Sequence, residues 1–343
     1  MMFVDRLKRY AVKTTISLPN LAKHRLFGAP PENDRGARLD LDTWTLLQLE
    51  KRVTPPRPSS VEDIRENTRR SASIVGIDPA PEPARIMNLL LAERVPARLY
   101  IPPHHTAPGP GMVFMHGGGW TICDLDTHDG FCRRVCVETG TVVISVDYRL
   151  APESPFPAGY DDTLAAWRDV VARADEMEVD PEMLMIGGDS AGGNLAAAAC
   201  IALRDAGEPL PWRQLLIYPC VEMADTHDSR ETFAEGYFLT LAQIKWYQTQ
   251  YAGPEYDPRV SPLRADDHAG LPAAIVVTAG FDPLRDEGES YIARLRAAGV
   301  PVEHLDAADL IHGFINMDGL LPAADREVQR ILTVLRSLNG AMA

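Results

Sequence analysis

Ser190 stands in the heptapeptide GGDSAGG, residues 187–193, and its surroundings match the pattern G-x-S-x-G. An apolar run at 183–186 precedes the pattern, and an alanine-rich segment that ends at Gly207 follows it. We therefore predict a strand, a sharp turn that carries the serine, and a helix whose N-terminus offers N–H groups to negative charge. This context suits a nucleophile, but a plain glycine-rich turn between a strand and a helix gives the same pentapeptide. Other residues of the chain must therefore show whether Ser190 has catalytic partners.

A serine hydroxyl becomes a good nucleophile only when a base accepts its proton and an acid orients the base. Asp282 follows the apolar stretch at 274–278, and His312 comes soon after another stretch, at 302–305. Serine, acid and histidine thus occur in the order expected when each stands on a loop after a strand of one sheet. Asp286 and Glu287 are alternative acids, although both are predicted to lie in the next helix.

The sequence HGGGW, residues 116–120, follows a further apolar stretch at 112–115. Consecutive glycines let a backbone pass close to a substrate with its N–H groups turned inward, which Cβ atoms would obstruct. We predict that Gly118 and Gly119, together with Ala191 after the serine, donate hydrogen bonds to a developing oxyanion. A phosphate-binding loop is disfavoured, because neither G-x-G-x-x-G nor G-x-x-x-x-G-K-S/T occurs there.

Composition and charge narrow the class of protein. The chain has 343 residues, 45% of them hydrophobic, so it can bury a sizeable core, and we expect one catalytic domain with an appendage. The formal net charge of −14 at pH 7 disfavours nucleic acid as a partner, since no basic surplus is available to neutralise phosphates. Five cysteines favour reduced thiols and a cytoplasmic location, and we expect neither a leader peptide nor a membrane span.

The first 28 residues depart from this acidic composition, because they carry six lysines and arginines against Asp5 alone. Apolar residues recur at roughly helical spacing, at Phe3, Val4, Leu7, Tyr10 and Ala11, so the segment is predicted to be a basic amphipathic helix. It could make a weak contact with an anionic membrane or interface, fold over an active site as a lid, or be an ordinary surface helix docked by its apolar face.

From about residue 96 onward, apolar stretches alternate with segments of helical character. Predicted strands lie at 97–101, 112–115, 142–146, 183–186, 214–218, 274–278 and 302–305. Predicted helices lie at 127–139, 160–174, 191–206, 285–298 and 323–338. This alternation predicts an α/β fold with a mostly parallel central sheet flanked by helices.

Two regions do not follow the alternation. Residues 1–85 contain a loop at 51–60 that is rich in proline and charge and leads into a helix. Residues 221–262 form a long segment between two predicted strands. Insertions after strands tend to cover the edge of the sheet where sites open, so we expect these two regions to form a helical cap. The predicted division is an N-terminal cap segment, 1–85, and a catalytic domain, 86–343, with a cap insertion at about 221–262.

With these motifs in hand, the chain resembles the hormone-sensitive-lipase-like branch of the α/β-hydrolase esterases over about residues 85–335. The matching blocks, in family order, are 116–119 (HGGG), 147–153 (DYRLAPE), 188–193 (GDSAGG), 282–286 (DPLRD) and 312–314 (HGF). The resemblance implies the α/β-hydrolase fold and a carboxylesterase that acts on a small-molecule ester with a short or medium acyl chain. It also implies no metal or organic cofactor, and a homodimer through the edge strand of the sheet.

Other residues are assigned supporting roles. We expect Arg149 to pair with Glu153 or Asp161 in a network that braces the loop beneath the oxyanion glycines. His116 is expected to hold its own loop through a ring hydrogen bond, and Asp189 to support the site from beside the serine. Three aromatic residues are predicted to line the substrate pocket: Trp120, Tyr237 and Phe238. The bulky indole of Trp120 would narrow this pocket.

The same parts serve other reactions, so alternatives stay open. Amide hydrolysis, lactone opening and lipase action on long-chain esters use the same three groups, because substrate choice depends on the cap and the pocket. A non-catalytic small-ligand receptor on this fold would be expected to lack one of the three groups. That alternative is disfavoured, because Ser190, Asp282 and His312 all have suitable positions in the sequence.

Overall fold

An eight-stranded sheet lies at the centre of the computed structural model, which describes residues 3–52 and 60–342. The strands are β1 (Arg85–Leu91), β2 (Val95–Ile101), β3 (Gly109–Met115), β4 (Val142–Val146), β5 (Val179–Asp189), β6 (Arg213–Ile217), β7 (Ala273–Phe281) and β8 (Val302–Ile311). Their order across the sheet is β1-β2-β4-β3-β5-β6-β7-β8. Both neighbours of β2 run antiparallel to it and the other pairs are parallel, so the predicted mostly parallel sheet is confirmed.

Helices precede the sheet and connect its strands. In chain order they are α1 (Phe3–Ile16), α2 (Asn20–Phe27), α3 (Leu41–Arg52), α4 (Val61–Val75), α5 (Asp129–Thr139), α6 (Ala158–Ala172), α7 (Ala191–Ala206), α8 (Asp228–Thr232), α9 (Leu241–Tyr251), α10 (Arg285–Ala297) and α11 (Pro322–Met342). None of the helices among the described residues is long and apolar enough to cross a membrane.

The core lies on both faces of the sheet. Successive side chains of a strand point to opposite faces, and in β3 Val113 and Met115 join one hydrophobic cluster while Met112 and Phe114 join the other. Helices α6, α7 and α10 contribute to the first cluster, and α5 and α11 to the second. Because both faces are covered, each central strand contains a continuous buried apolar stretch, which is why these strands stand out in the sequence.

The seven predicted strands and five predicted helices are confirmed, with ends that shift by a few residues. Strand β1 was not predicted. It pairs with β2 alone at the edge of the sheet, and most of its side chains remain at least partly exposed. Its sequence, RIMNLLL, contains apolar residues but no alternation of polar and apolar positions, so periodicity does not identify it as a strand.

Helices α1 to α4 precede β1, and α4 follows the predicted loop, whose residues 53–59 lie outside the described part of the chain. The division of the chain at about residue 85 into a cap segment and a catalytic domain stays a prediction. The basic segment forms two helices, α1 and α2, rather than the one helix that we predicted; its residues 1 and 2 also lie outside the described part.

Of the three alternatives for this segment, docking by the predicted apolar face does not hold for Leu7 and Tyr10, which are 54% and 73% exposed. Arg9 is buried instead, because its Nη1 donates to the carbonyls at the C-terminal end of α4: Ser73, Ile74 and Gly76.

Helices α8 and α9 lie in the insertion between β6 and β7, and a buried ion pair ties this insertion to α10. Arg230 of α8 donates to Oε2 of Glu287 at 2.7 Å, and both side chains are almost fully buried. The other oxygen of Glu287 accepts the N–H of Val221 at 2.9 Å. Burial raises the pKa of Glu287 above its usual value although Arg230 opposes the shift, so the carboxylate depends on this cation.

Replacement of Arg230 by Met should lower the free energy of unfolding by about 3–5 kcal/mol, because it leaves a buried carboxylate without its counter-ion. Urea denaturation of the variant and the wild type measures this difference. Arg168→Met is the matched control, since Arg168 pairs with Glu208 at 2.7 Å on the surface and its loss should cost about 1 kcal/mol or less. Equal effects of the two substitutions would contradict the assignment of a structural role to the buried pair.

Candidate active site

The turn between β5 and α7 consists of Ser190 alone. Its backbone has φ 55° and ψ −117°, a conformation that L-residues rarely adopt and that costs about 1–3 kcal/mol. The N–H of Ser190 donates to the carbonyl of Ile217 at 2.9 Å, and its own carbonyl accepts the N–H of Cys220 at 3.2 Å. A Cβ atom at Gly192 would overlap the carbonyl of Met115, so the tight turn also requires glycine there.

His312 links Ser190 to Asp282. Its Nε2 lies 2.9 Å from the Oγ of Ser190, and its Nδ1 lies 2.7 Å from Oδ2 of Asp282. The histidine and the aspartate each directly follow the end of a strand, β8 and β7 respectively. When Nδ1–H donates to the carboxylate, Nε2 carries the lone pair and can accept a proton from the hydroxyl. The structure thus brings together the three residues that the sequence singles out.

Further contacts fix this acid and this base in position. Asp282 is fully buried, and its second oxygen accepts the N–H of Leu284 at 2.8 Å. The ring of Tyr218 lies 4.5 Å from the ring of His312 and covers one of its faces. Both side chains therefore have little freedom to leave the hydrogen-bonded line.

The alternative acids are engaged elsewhere. Asp286 accepts the N–H of Ser229 at 2.9 Å and pairs with Arg285, and Glu287 forms the buried pair with Arg230. Both lie in α10, as predicted. The carboxylate that contacts His312 is that of Asp282.

The glycine loop after β3 turns two N–H groups away from the protein's own acceptors. Gly118 and Gly119 have φ values of 107° and 57°, which side-chain-bearing residues rarely adopt. The carbonyl of Gly118 accepts the N–H groups of Thr121 and Ile122, and that of Gly119 accepts the Thr121 hydroxyl. Among the described residues, no acceptor contacts the N–H of Gly118 or Gly119. Ala191 opens α7, so its N–H is one of the four that a helix cannot satisfy internally.

The carboxylate of Asp189 holds the glycine loop against the serine turn. Its Oδ1 accepts the N–H of Gly117 at 2.7 Å and lies 3.0 Å from Nε2 of His128, and its Oδ2 accepts the hydroxyl of Tyr218 at 3.4 Å. His128 also contacts Asn316, four residues beyond His312. Burial by itself raises the pKa of Asp189, but the adjacent imidazoles and the Gly117 N–H outweigh burial and hold the pKa below its usual value.

His116 supports the glycine loop from inside the core. Its Nδ1 lies 2.8 Å from the carbonyl of Gly117, and its ring stacks on Tyr148 at 4.5 Å. Burial, reinforced by the nearby His128, lowers the pKa of His116 to about 4. The ring is therefore neutral at pH 7, which agrees with a supporting role rather than a role in proton transfer.

The expected pairing of Arg149 with Glu153 or Asp161 is wrong. Arg149 donates to Asp162 from Nε at 2.7 Å and from Nη2 at 2.8 Å, and about half of its side chain is exposed. Asp162 lies one residue further along α6 than Asp161, about 100° around the helix axis, and is buried whereas Asp161 is exposed.

Glu153 is paired instead with Arg65 of α4, a residue that the sequence analysis missed. The guanidinium donates to both oxygens of Glu153, at 2.9 and 2.7 Å. It also donates to the carbonyl of Thr121 at 2.9 Å and to that of Ala151 at 3.0 Å. Thr121 ends the glycine turn, so the bracing that we expected from Arg149 comes from the N-terminal helices.

The three aromatic residues predicted for the pocket occupy different positions. Trp120 is 3% exposed and stacks on Tyr251 of α9, with ring centroids 4.4 Å apart. Tyr237 packs on Phe281 at the end of β7 with a centroid distance of 5.6 Å. Phe238 is 45% exposed. Of the three, Phe238 is the exposed side chain, Tyr237 is half-buried and Trp120 is buried.

Phe238 lies beside the histidine loop in a strained conformation. Its φ is 75°, an outlier for a bulky residue, and a Cβ atom at Gly313 would lie 2.9 Å from its Cε1. Across the site, the ring of Tyr247 covers Gly119 so closely that no Cβ atom fits there. Each half of the site is thus covered by one aromatic ring of the 221–262 insertion.

Four residues of the site were missed, and their sequence signals are weak: Arg65, His128, Tyr218 and Tyr247. His128 and Tyr218 lie within a predicted helix and a predicted strand, and Tyr247 within the predicted insertion, but nothing in their spacing connects them to Ser190. Arg65 belongs to a charged helix in which most arginines make local pairs, so its pattern does not distinguish it. The described residues contain no group of three or more histidine, cysteine or acidic side chains arranged to hold a metal ion.

Comparisons with known proteins agree with this geometry. A family model described as an alpha/beta hydrolase fold matches residues 112–316. The carboxylic ester hydrolase LipN of Mycobacterium tuberculosis is 44% identical over 256 residues, which are 72% of this chain and 68% of LipN. The ethyl acetate hydrolase of Pseudomonas putida is 32% identical over 295 residues, which are 83% of this chain and 92% of that enzyme.

Solved structures extend the likeness over most of the fold. The ester-hydrolase EH1AB1 from the metagenome of Lake Arreo has a TM-score of 0.84 and 38% identity, over 88% of this chain and 99% of its own. The carboxylesterase EstE1, from a metagenomic library, has a TM-score of 0.75 and 38% identity, over 81% and 97%. The chain therefore belongs to the α/β-hydrolase fold family, in the hormone-sensitive-lipase-like branch that its motifs indicate.

Proposed function

We propose that the chain is a serine carboxylesterase that hydrolyses short- to medium-chain acyl esters through an acyl-enzyme. The observation that carries this proposal is the hydrogen-bonded line from Ser190 through His312 to Asp282, beside two glycine N–H groups without an acceptor in the described chain. Relatives that are 32–44% identical carry the names of ester hydrolases, which supports the same reaction class.

In the first half of the reaction, His312 accepts the proton of Ser190 while the hydroxyl oxygen attacks the ester carbonyl. Asp282 stabilises the imidazolium that forms. The N–H groups of Gly118, Gly119 and Ala191 hold the negative charge on the carbonyl oxygen, and one such donor is worth about 3 to 4 kcal/mol in the transition state. His312 then gives its proton to the leaving alcohol, and the acyl group remains on the serine.

In the second half, water replaces the alcohol. His312 accepts a proton from water as the water oxygen attacks the acyl carbonyl, and the same three N–H groups hold the oxyanion. The proton then passes to Ser190, which releases the carboxylic acid. The strained backbone at Ser190 keeps the hydroxyl at the helix N-terminus in both halves, so no rearrangement of the turn is needed.

The preference for short and medium chains rests on the aromatic cover. Phe238 beside Gly313 and Tyr247 over Gly119 limit the room on the two sides of the serine. The name of the ethyl acetate hydrolase relative also favours a small ester. Lipase, amide and lactone hydrolysis remain alternatives on the same residues. A non-catalytic receptor is disfavoured because all three groups of the hydrogen-bonded line are present.

Two expectations rest on the family resemblance and on composition, and both stay predictions. One is a homodimer through the edge of the sheet, where β8 has no neighbour on its outer side within the described chain. The other is a cytoplasmic location, which the five free thiols favour.

Replacement of Ser190 by Ala should lower kcat on p-nitrophenyl butyrate by at least about 10⁴-fold, because the nucleophile is removed. Steady-state kinetics on the purified, folded variant measure the loss, and labelling by a fluorophosphonate should disappear with it. Ser337→Ala, at an exposed position of α11, is the control and should keep full activity. Retention of wild-type activity by Ser190→Ala would exclude the nucleophile and leave the receptor alternative.

Replacement of Arg65 by Met should lower kcat by about 10- to 100-fold with a small effect on KM, because the glycine loop loses its brace and its N–H groups shift. The readouts are kcat and KM on the butyrate ester, with the thermal midpoint as a check on folding. Arg70→Met is the matched control on the same helix, since the Arg70 side chain forms a local pair with Glu66 at 2.9 Å, one helical turn away. Similar kcat values for both variants would remove Arg65 from the positioning of the site.

Acyl-chain selectivity should depend on Phe238. In wild type, kcat/KM for p-nitrophenyl esters should peak between acetate and octanoate and be at least about tenfold lower for palmitate. Replacement of Phe238 by Ala should raise the palmitate-to-butyrate ratio several-fold, because the ring beside the histidine loop is gone. Tyr256→Ala, another exposed ring of the same insertion, should leave the ratio unchanged. A wild-type optimum at palmitate would favour the lipase alternative.

A further inference from the structure

The N-terminal helix α1 buries two charged residues and exposes two large apolar ones, although Val12 and Ile16 pack on the core. Its buried face carries Asp5, Arg9 and Ile16, whereas its solvent face carries Leu7 and Tyr10, which are more than half exposed. Leu7 and Tyr10 are three residues apart and so lie side by side on the helix. Burial of two charged residues and exposure of two large apolar ones is the reverse of what folding alone favours.

Charged residues border this apolar stripe on both sides. Arg6 and Lys13, seven residues apart, lie along one edge of the stripe, and Lys8 lies along the other. All three are exposed, and the acid of this helix, Asp5, is 5% exposed on the opposite face. Long basic side chains at the edges of an apolar stripe can keep their charges in water while the stripe enters an apolar phase.

The next helix, α2, also exposes apolar and basic side chains. Leu21 and Leu26 are 64% and 52% exposed, and Arg25 between them is also exposed. Lys23 is turned inward, where it pairs with Asp42 of α3. We call the exposed basic and large apolar residues of α1 and α2 the basic apolar patch: Arg6, Leu7, Lys8, Tyr10, Lys13, Leu21, Arg25 and Leu26.

The patch keeps its positive charge although the whole chain has a formal net charge of −14. Helix α1 packs against α3 and α4, and three acids of these two helices already have cationic partners outside the patch. The pairs are Glu62 with Arg69, Glu66 with Arg70 and Asp42 with Lys23. The cations of the patch itself are therefore available to an anionic partner.

We propose that the basic apolar patch docks on the surface of an anionic lipid membrane. The apolar stripe enters the headgroup boundary, and the lysines and arginines at its edges contact the lipid phosphates, which is the arrangement of interfacial amphipathic helices. A second protein chain of the same kind fits less well, because two copies of the patch would bring their positive charges together. The proposal is independent of the catalytic assignment.

The test is co-sedimentation of the full chain with vesicles of phosphatidylglycerol or of phosphatidylcholine. Wild type should sediment with the anionic vesicles only, and high salt should release it. The variant Arg6→Glu/Lys8→Glu/Lys13→Glu should bind at least about 100-fold more weakly, since each cation near an anionic surface is worth roughly fivefold in affinity. Leu7→Ser/Tyr10→Ser should also weaken binding, because the stripe is lost.

Met87→Ser/Leu90→Ser is the matched control, since both residues are exposed apolar side chains on β1, away from the patch. This control should bind like wild type, and all variants should keep wild-type activity on soluble p-nitrophenyl butyrate. The proposal is wrong if wild type does not sediment with anionic vesicles, or if the patch and control variants behave alike. It is also wrong if the Leu7/Tyr10 substitutions change the oligomeric state in light scattering and leave vesicle binding intact, because the patch would then join two copies.

Discussion

The geometry of the site depends on the buried carboxylate of Asp189. Through the backbone it is joined to Ser190, and through its oxygens it holds the glycine loop, His128 and Tyr218. These groups belong to separate elements: Ser190 forms the turn after β5, the glycine loop contains Gly118 and Gly119, and the ring of Tyr218 lies 4.5 Å from that of His312. A buried acceptor that satisfies several donors at once fixes their relative positions more firmly than separate pairs do. A catalytic arrangement needs that precision, since small displacements of reacting groups have large effects on rate.

The helices outside the sheet are part of this arrangement rather than a separate cover. Arg65 reaches from α4 to the backbone at the end of the glycine turn, and Tyr247 reaches from α9 to the turn itself. Arg230 and Glu287 fasten the same insertion to α10, which begins just after Asp282. The groups of the hydrogen-bonded line are therefore held from the sheet on one side and from α4 and the 221–262 insertion on the other.

The sequence predicts the parts of the fold and site that follow from local patterns. Apolar strands followed by short motifs locate Ser190, Asp282 and His312, since each motif stands directly after a buried strand whose pattern is strong. Edge strand β1 and the partners of Arg149 and Glu153 were not predicted. A long arginine side chain can reach several acids, and only the tertiary packing selects Asp162 for Arg149 and Glu153 for Arg65. Likewise, helical periodicity identifies α1 as amphipathic but does not say which face turns to solvent.

The contact between Gly119 and the ring of Tyr247 also bears on how such proteins can be engineered. Grafting the 221–262 segment of a relative onto this sheet would exchange the ring that packs on the glycine turn, and a residue of another size there would leave a void or press on the backbone. The same packing contact between Tyr247 and Gly119 therefore affects both the choice of substrate and the turnover rate. Modular shuffling of this segment should succeed when the donor supplies an aromatic ring at the position equivalent to 247, and directed evolution of the segment has its tightest constraint there.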